Sequence, residues 1–299
     1  SSSDAAAPDQ RIPIEEGALL LVRWYAASEE LFEPLSAAER CRAELDALAA
    51  QLRCMIQAPA RDANASLSDV DAVRALSKML FVDGGFTGNE SNYYAPEDSL
   101  LDCVLDRRTG RPISLSVLSA AICARVGVHL DMIGLPGHFL LATRPTAESP
   151  RTFIDVYHQG QLLELPHCIN IVISYGIPWS EDMVAPVPQV EVWTRMVRNL
   201  INCSKRTGDL PQARLLQRLL PPAEEGRSTR SSSSANSPSS SQVSYQLSPT
   251  SMRRSPLPIP PSPEDDAAEV PLEAQLLSQG MLEQMRVLMA TLSEQQMQL

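Results

Sequence analysis

The feature that most limits what this chain can fold into is an abrupt change of composition after residue 220. From residue 221 to about residue 271 the sequence consists mainly of serine and proline, without the apolar periodicity that a packed core requires. We therefore predict a disordered linker over residues 221–271. The whole chain of 299 residues is long enough for one large or two modest domains with a substantial core, and the folded part is expected in about the first 220 residues.

The charge of the chain argues against two classes of partner. Its 25 basic and 36 acidic residues give a net charge of −11, divided into −7 before residue 221 and −4 after residue 220. Nucleic acids and anionic membranes attract clustered positive charge, so we predict neither as a partner.

No apolar run approaches the roughly 20 residues that span a bilayer. We expect an intracellular protein of the cytoplasm, a plastid or another organelle.

The six cysteines lie far apart, without a CxxC pair or a series of short spacings. This pattern is typical of neither a disulfide scaffold nor a structural zinc site, so we expect mostly buried free thiols in a reducing compartment. We also expect no metal and no cofactor.

Apolar periodicity divides the folded part into helical and strand-like regions. Three helices are predicted over residues 15–27, 39–56 and 68–80, followed by a buried helix over 112–126. Short strands are predicted over 128–133, 138–143, 153–157 and 161–163, and a final helical pair over 190–204 and 211–220. This order indicates an α+β fold with a small antiparallel sheet. Residues 272–298 show a short amphipathic helical pattern that would suit a partner.

His138 and Asp155 are the one pair of side chains whose types and expected positions are suited to catalysis. His138 is expected at the start of one strand and Asp155 on its antiparallel neighbour, where a carboxylate can orient an imidazole. A nucleophile would stand at the start of the preceding helix, which offers Ser114 and Ser116 but no cysteine. Cys123 lies about two turns further along that helix, among expected core positions.

Several motifs, in order, resemble the SirB-type transglutaminase-like family. They span Leu80 to Asp102, Val104 to Leu115, Gly127 to Leu140, and the Ile154–Asp155 pair. The resemblance covers roughly residues 17–220. It implies a papain-like transglutaminase core over 17–185, after a flexible segment over 1–16. It also implies a tetratricopeptide-like helical pair over 186–220.

The resemblance also assigns site residues. His138 and Asp155 match two members of the family's triad, while the position of the nucleophilic cysteine falls near Ser114. A second set of residues either lines a ligand groove or, as the alternative we favour, forms ion pairs and turns that clamp the loop before the helix. This set consists of Asn89, Tyr93, Asp106, Arg107, Arg108, Gly110 and Gly137. The remaining histidines, His129, His158 and His167, are expected to be ordinary.

We therefore expect a protein with a degenerate triad that binds or regulates rather than catalyses. One alternative is a hydrolase or acyltransferase that uses Ser114 or Ser116 with His138 and Asp155. Another is an adaptor that binds a protein through the helical pair or the tail. An open hydroxyl beside His138 would favour the enzyme, whereas a buried hydroxyl that caps the helix would favour the binding module.

Overall fold

The computed structural model describes residues 12–28, 34–57, 68–89, 95–146 and 149–220, together with Val287. These residues belong to one of the two units into which the chain divides, and the other unit, Pro222–Val270, lies outside them. The predicted linker, the predicted helix over 272–298 and Tyr93 fall outside the described residues. No helix in the described ranges is both long and apolar enough to cross a membrane.

The helices predicted for the first part of the chain are confirmed, with one difference. They are α1 (Glu15–Ser28), α2 (Pro34–Gln57) and α3 (Asp69–Ser77), and Ser68 caps α3 by accepting a hydrogen bond from the Asp71 amide. From Lys78 to Asp83 the chain continues as a π-helix rather than as the end of α3. This wider turn lies against the Gly160 backbone, to which Ser77 Oγ donates a hydrogen bond of 3.1 Å.

The fourth predicted helix is the centre of the fold. Helix α5 (Pro112–Arg125) begins with a proline, whose missing N–H costs nothing at that position, and eleven of its residues are buried. It contacts α2 on one side and the strand Leu140–Ala142 of the sheet on another. A helix that is apolar on nearly all sides must be enclosed by other elements, and this one is.

The first three predicted strands are shorter than expected and the fourth has its predicted bounds; the four form one antiparallel sheet in which each strand pairs with the next along the chain. They are β3 (Asp131–Ile133), β4 (Leu140–Ala142), β5 (Phe153–Asp155) and β6 (Gln161–Leu163). Alternate side chains point to opposite faces. Leu141 and Ile154 therefore join the main core with α5, whereas Leu140 and Phe153 join a smaller core.

The final helical pair is also present, as α7 (Gln189–Thr207) and α8 (Leu210–Gln217), with Gly208 between them in the left-handed conformation at φ +84°. Trp193 anchors α7 to the start of the chain, because its indole Nε1 donates to the Ile14 carbonyl at 2.8 Å.

Six short elements have no counterpart in the predicted pattern. They are the parallel pair β1 (Thr87–Gly88) and β2 (Thr109–Gly110), α4 (Leu101–Arg107), α6 (Leu165–Ser174), and 3-10 helices at Pro96–Ser99 and Glu181–Val184. Together with the long helices and the sheet, they give the α+β architecture that the sequence predicts.

Candidate functional site

His138 is positioned by a tight turn rather than by a strand. The His138 N–H donates to the Leu135 carbonyl at 3.1 Å, and between them stand Pro136 and Gly137, the latter at φ +70°. Proline followed by a left-handed glycine is the pattern of a type II turn. Strand β4 begins at Leu140, so the predicted strand start at His138 is two residues too early.

Asp155 lies at the end of β5, which pairs with β4. Its Oδ2 lies 2.8 Å from His138 Nε2. Its Oδ1 accepts hydrogen bonds of 3.1 Å from the backbone N–H groups of Tyr157 and His158. The carboxylate is thus fixed by the hairpin loop and can orient the imidazole.

His158 also contacts this carboxylate, so the expectation that it is an ordinary histidine without a convergent partner is wrong. Its Nδ1 lies 2.8 Å from Asp155 Oδ2, the same oxygen that His138 contacts. The loop returns His158 to the aspartate because Gln159 and Gly160 adopt left-handed conformations. The Asp-x-x-His spacing before Gly160 was the available signal.

The two histidines determine the charge state of Asp155. Burial alone would raise the pKa of this carboxyl group. The hydrogen bonds and charges of His138 and His158 outweigh burial and hold the pKa well below its usual range. Asp155 is therefore a carboxylate anion at neutral pH.

Ser114 is buried and bound to the backbone at the start of α5. Its hydroxyl lies 2.6 Å from the Asp98 carbonyl and 3.1 Å from the Arg111 carbonyl, and it accepts a hydrogen bond of 3.0 Å from the Arg111 N–H. Ser116 is equally buried and donates to the Pro112 carbonyl at 2.8 Å. Within the described residues, neither hydroxyl makes a hydrogen bond to His138.

The cysteines do not supply a nucleophile either. Burial raises the pKa of five thiols: to about 12 for Cys41, Cys103 and Cys123, to about 11 for Cys168, and upward for Cys203 as well. A catalytic thiol requires the opposite shift. The sixth thiol, Cys54, is exposed. Cys103 is half-buried and the other four are buried, so most of the thiols are buried, as expected.

We expect a thiol-reactive probe to distinguish these cysteines in the native protein at neutral pH. Iodoacetamide should label Cys54 first, because it is exposed, while buried thiols such as Cys123 should react only after unfolding. Peptide mass spectrometry after short labelling checks this. Rapid native labelling of Cys123 or Cys203 would contradict the assignment of structural thiols.

A cleft of about 340 Å³ opens beside His138. Its lining comes from the start of α5, the turn before β4, and α7. The lining residues are Arg111, Pro112, Ile113, Leu135, Gly137, His138, Phe139, Arg195, Arg198 and Asn199. Three of the ten are arginines, which concentrates positive charge in one place on a chain of net charge −11.

The arginines of the cleft are held in different ways. Arg111 is buried, with 3% of its surface exposed, and its Nη2 lies 2.9 Å from Cys203 Sγ. Arg195 lies over the Phe139 ring at 5.8 Å and donates to Glu191 Oε1 at 3.0 Å. The side chain of Arg198 is 57% exposed.

A buried polar network lies under the start of α5. Asn89 Nδ2 donates to Asp98 Oδ2 at 2.6 Å, and Arg107 Nη1 lies 3.8 Å from both Asp98 Oδ1 and Glu97 Oε2. Burial raises the pKa of the Asp98 carboxyl group, against the opposing effects of Asn89, Arg107 and Arg111. Since Ser114 binds the Asp98 carbonyl, this network and the helix cap form one unit.

The other members of the predicted groove set have separate positions. Arg108, at φ +54°, ends α4 and donates to the Gly84 carbonyl at 2.7 Å. Gly110 leaves room for the cap, since a Cβ there would lie 3.0 Å from Ser114 Oγ. Asp106 is exposed, and Gly137 lines the cleft with His138.

Comparison with known proteins gives partial relatives. A UPF0162 protein of Xylella fastidiosa is 32% identical over 132 residues, which cover 42% of this chain and 46% of that protein. A UPF0162 protein of Pseudomonas aeruginosa is 28% identical over 201 residues, 65% of this chain and 68% of that protein. F-box only protein 21 of Mus musculus is 31% identical over 140 residues, which cover 45% of this chain and 22% of that protein.

The match to the Xylella protein thus spans about half of that relative's length, and the match to the mouse protein about a fifth. No solved structure matches the chain. The family model for the transglutaminase-like superfamily matches residues 39–198, which include most of α2, all of α5 and of the four-stranded sheet, and the first half of α7. By this match, the chain belongs to the transglutaminase-like superfamily.

Proposed function

We propose that this protein is a transglutaminase-like binding module that lacks a nucleophile, with a cleft that holds an anionic group of its ligand. The observation that carries the proposal is the state of Ser114. Its hydroxyl is fully buried and engaged by backbone groups of Asp98 and Arg111, so it caps α5 instead of facing a substrate.

The imidazole and carboxylate of the triad remain in place without their third member. His138 Nε2 is engaged by Asp155, which leaves Nδ1 as the ring nitrogen available to a ligand in the cleft. Such a pair can accept or donate a hydrogen bond to a bound molecule. It cannot transfer an acyl group, because covalent catalysis needs an activated nucleophile within reach of the base.

The chemistry of the lining favours an anion. Arg111, Arg195 and Arg198 face one cavity, and Glu191 offsets part of their charge. Guanidinium groups bind carboxylates and phosphates through paired hydrogen bonds. The apolar members Leu135 and Phe139 would contact the uncharged part of the ligand.

A charge-matched pair of variants tests this proposal. We expect Arg198→Gln to weaken binding of a fluorescent glutamate-rich peptide about fivefold, the typical effect of one partly exposed charge. Arg74→Gln removes the same charge from α3, outside the cleft lining, and should leave the affinity unchanged. Fluorescence anisotropy measures both. Equal losses in the two variants would mean that the peptide responds to net charge and not to the cleft.

The alternative functions make different demands on the molecule. A hydrolase or acyltransferase would need Ser114 or Ser116 to leave its backbone hydrogen bonds and approach His138. An adaptor would use the α7–α8 pair or the tail, and the relative named F-box only protein 21 gives this alternative some support. Removing residues 221–299 and testing whether a captured partner is lost would separate the tail from the cleft.

Finer assignments belong to the same proposal. We propose a SirB-type branch of the superfamily, with its domain over 17–185 and the α7–α8 pair as a tetratricopeptide-like unit over 186–220. Residues 1–16, the linker over 221–271 and the helix over 272–299 are proposed as separate segments. We propose an intracellular location.

A further inference from the structure

Three potential metal ligands converge beside the cleft. His138 Nε2, Asp155 Oδ2 and His158 Nδ1 all lie within 4.8 Å of one another, and each histidine nitrogen lies 2.8 Å from the same carboxylate oxygen. They come from three segments: the turn before β4, the end of β5 and the loop between β5 and β6. If Asp155 served only to orient one imidazole, one of these two histidines would be enough.

Groups other than the three potential ligands orient the Asp155 carboxylate. Asp155 Oδ1 is occupied by two backbone N–H groups, so Oδ2 is directed to the histidines. The Tyr157 ring packs edge-on against both imidazoles, with centroids 6.5 Å from His138 and 5.4 Å from His158. Hydrogen bonds and packing that hold ligating side chains in this way raise the affinity of metal sites.

The donor set and its exposure fit a transition metal. Two imidazole nitrogens and one carboxylate oxygen leave a fourth position open, as in catalytic-type zinc sites, and imidazole donors disfavour Mg²⁺ and Ca²⁺. The side chains of His138 and Asp155 are 10% and 6% exposed, whereas that of His158 is 55% exposed, which provides an entry path.

Binding of an ion would require a small change in the distances between the ligand atoms. A tetrahedral ion at its usual bond lengths would separate nitrogen and oxygen ligands by about 3.3 Å. The present separations are 2.8 Å. Each separation must therefore widen by about 0.5 Å. Rotation of the exposed His158 side chain widens one of them, and a small shift of the His138 ring relative to the Asp155 carboxylate must widen the other.

We propose that His138, Asp155 and His158 form a binding site for a divalent transition metal ion, best matched by Zn²⁺. Imidazole binds a metal ion in its neutral form, so two histidines and one carboxylate would present one negative charge to the ion. This inference goes beyond the proposed function, since the arginine-lined cleft and the helix cap do not depend on it.

Titration calorimetry with Zn²⁺ on the reduced 299-residue chain tests the site. Cys54→Ser serves as the background, because Cys54 is an exposed thiol that could bind zinc by itself. We expect one equivalent to bind, and His158→Ala to weaken binding by about 100-fold or more, since even indirect changes around a metal cost about 10–100-fold. His129→Ala, which removes another exposed histidine, should have no effect.

Two results would overturn the site: no saturable binding in the background protein, or equal binding after His158→Ala. Co²⁺ provides a second readout, because thiolate ligands give charge-transfer bands and a histidine–carboxylate site gives visible d–d bands alone. Thiolate charge-transfer bands that persist in every histidine variant would also count against the proposal. Peptide binding measured in the presence of a chelator tests the cleft without bound metal. The proposed metal site and the proposed binding function can therefore fail independently.

Discussion

Replacing Asp155 with asparagine is expected to lower the free energy of unfolding at pH 7 by about 2 kcal/mol, one of the largest effects of any single polar change in the site. The wild-type carboxylate is buried and binds His138, His158 and two backbone N–H groups. Asparagine keeps the shape but not the charge, so the histidines lose their anionic partner.

The same variant should reveal a pH dependence of known sign. The pKa of Asp155 is depressed in the folded protein, so its stabilisation is complete above the unfolded value of about 4. As the pH falls below that value toward the folded pKa, protonation of the wild type removes the advantage. Denaturant unfolding at pH 7 and at successive values below about pH 5 should show the two proteins converging.

Asp106→Asn is the matched control, because Asp106 is an exposed aspartate on α4 and its replacement should change stability by less than about 0.5 kcal/mol. A difference between wild type and Asp155→Asn that stays constant down to about pH 3, or is absent at pH 7, would contradict the ionised network.

Ser114→Ala should also lower the free energy of unfolding by about 1.5 kcal/mol, because it removes a buried hydroxyl that bonds to three backbone groups, although the Arg111 N–H keeps its hydrogen bond of 3.1 Å to the Asp98 carbonyl. The Ser114 hydroxyl binds the carbonyl of Asp98 and the N–H of Arg111, so its loss loosens both the helix start and the loop beneath it. Thermal unfolding followed by circular dichroism measures the effect.

Ser116→Ala is the control for this change. Its hydroxyl is as buried as that of Ser114 but binds a carbonyl one turn earlier in its own helix, so its removal should cost less than about 1 kcal/mol. Unchanged stability of Ser114→Ala would contradict the capping role.

The elements that position the site differ in how far the sequence predicts them. Helix α5 was predictable because its apolar residues are nearly continuous and Pro112 marks its start. The His138–Asp155 contact was predictable because the two residues flank or end consecutive strands that pair as neighbours, although the turn that holds His138 was not expected. By contrast, α4 has seven residues, too few for a helical period to stand out.

The parts of the site that could not be predicted from the sequence depend on tertiary packing. His158 reaches Asp155 because Gln159 adopts φ +59°, which residue type alone does not indicate. Arg195 and Arg198 come from α7, and no local pattern shows that this face of the helix covers the start of α5. The capping role of Ser114 required knowing that the Asp98 carbonyl lies beneath it.

The most direct test of the central claim is a comparison of acyl-transfer turnover by the wild type and His138→Ala. Both proteins are incubated with a glutamine donor peptide and a fluorescent amine, with chelator present so that metal chemistry does not contribute. We expect no turnover by the wild type above that of His138→Ala, because no nucleophile faces the imidazole. Clear wild-type turnover that His138→Ala abolishes would contradict it.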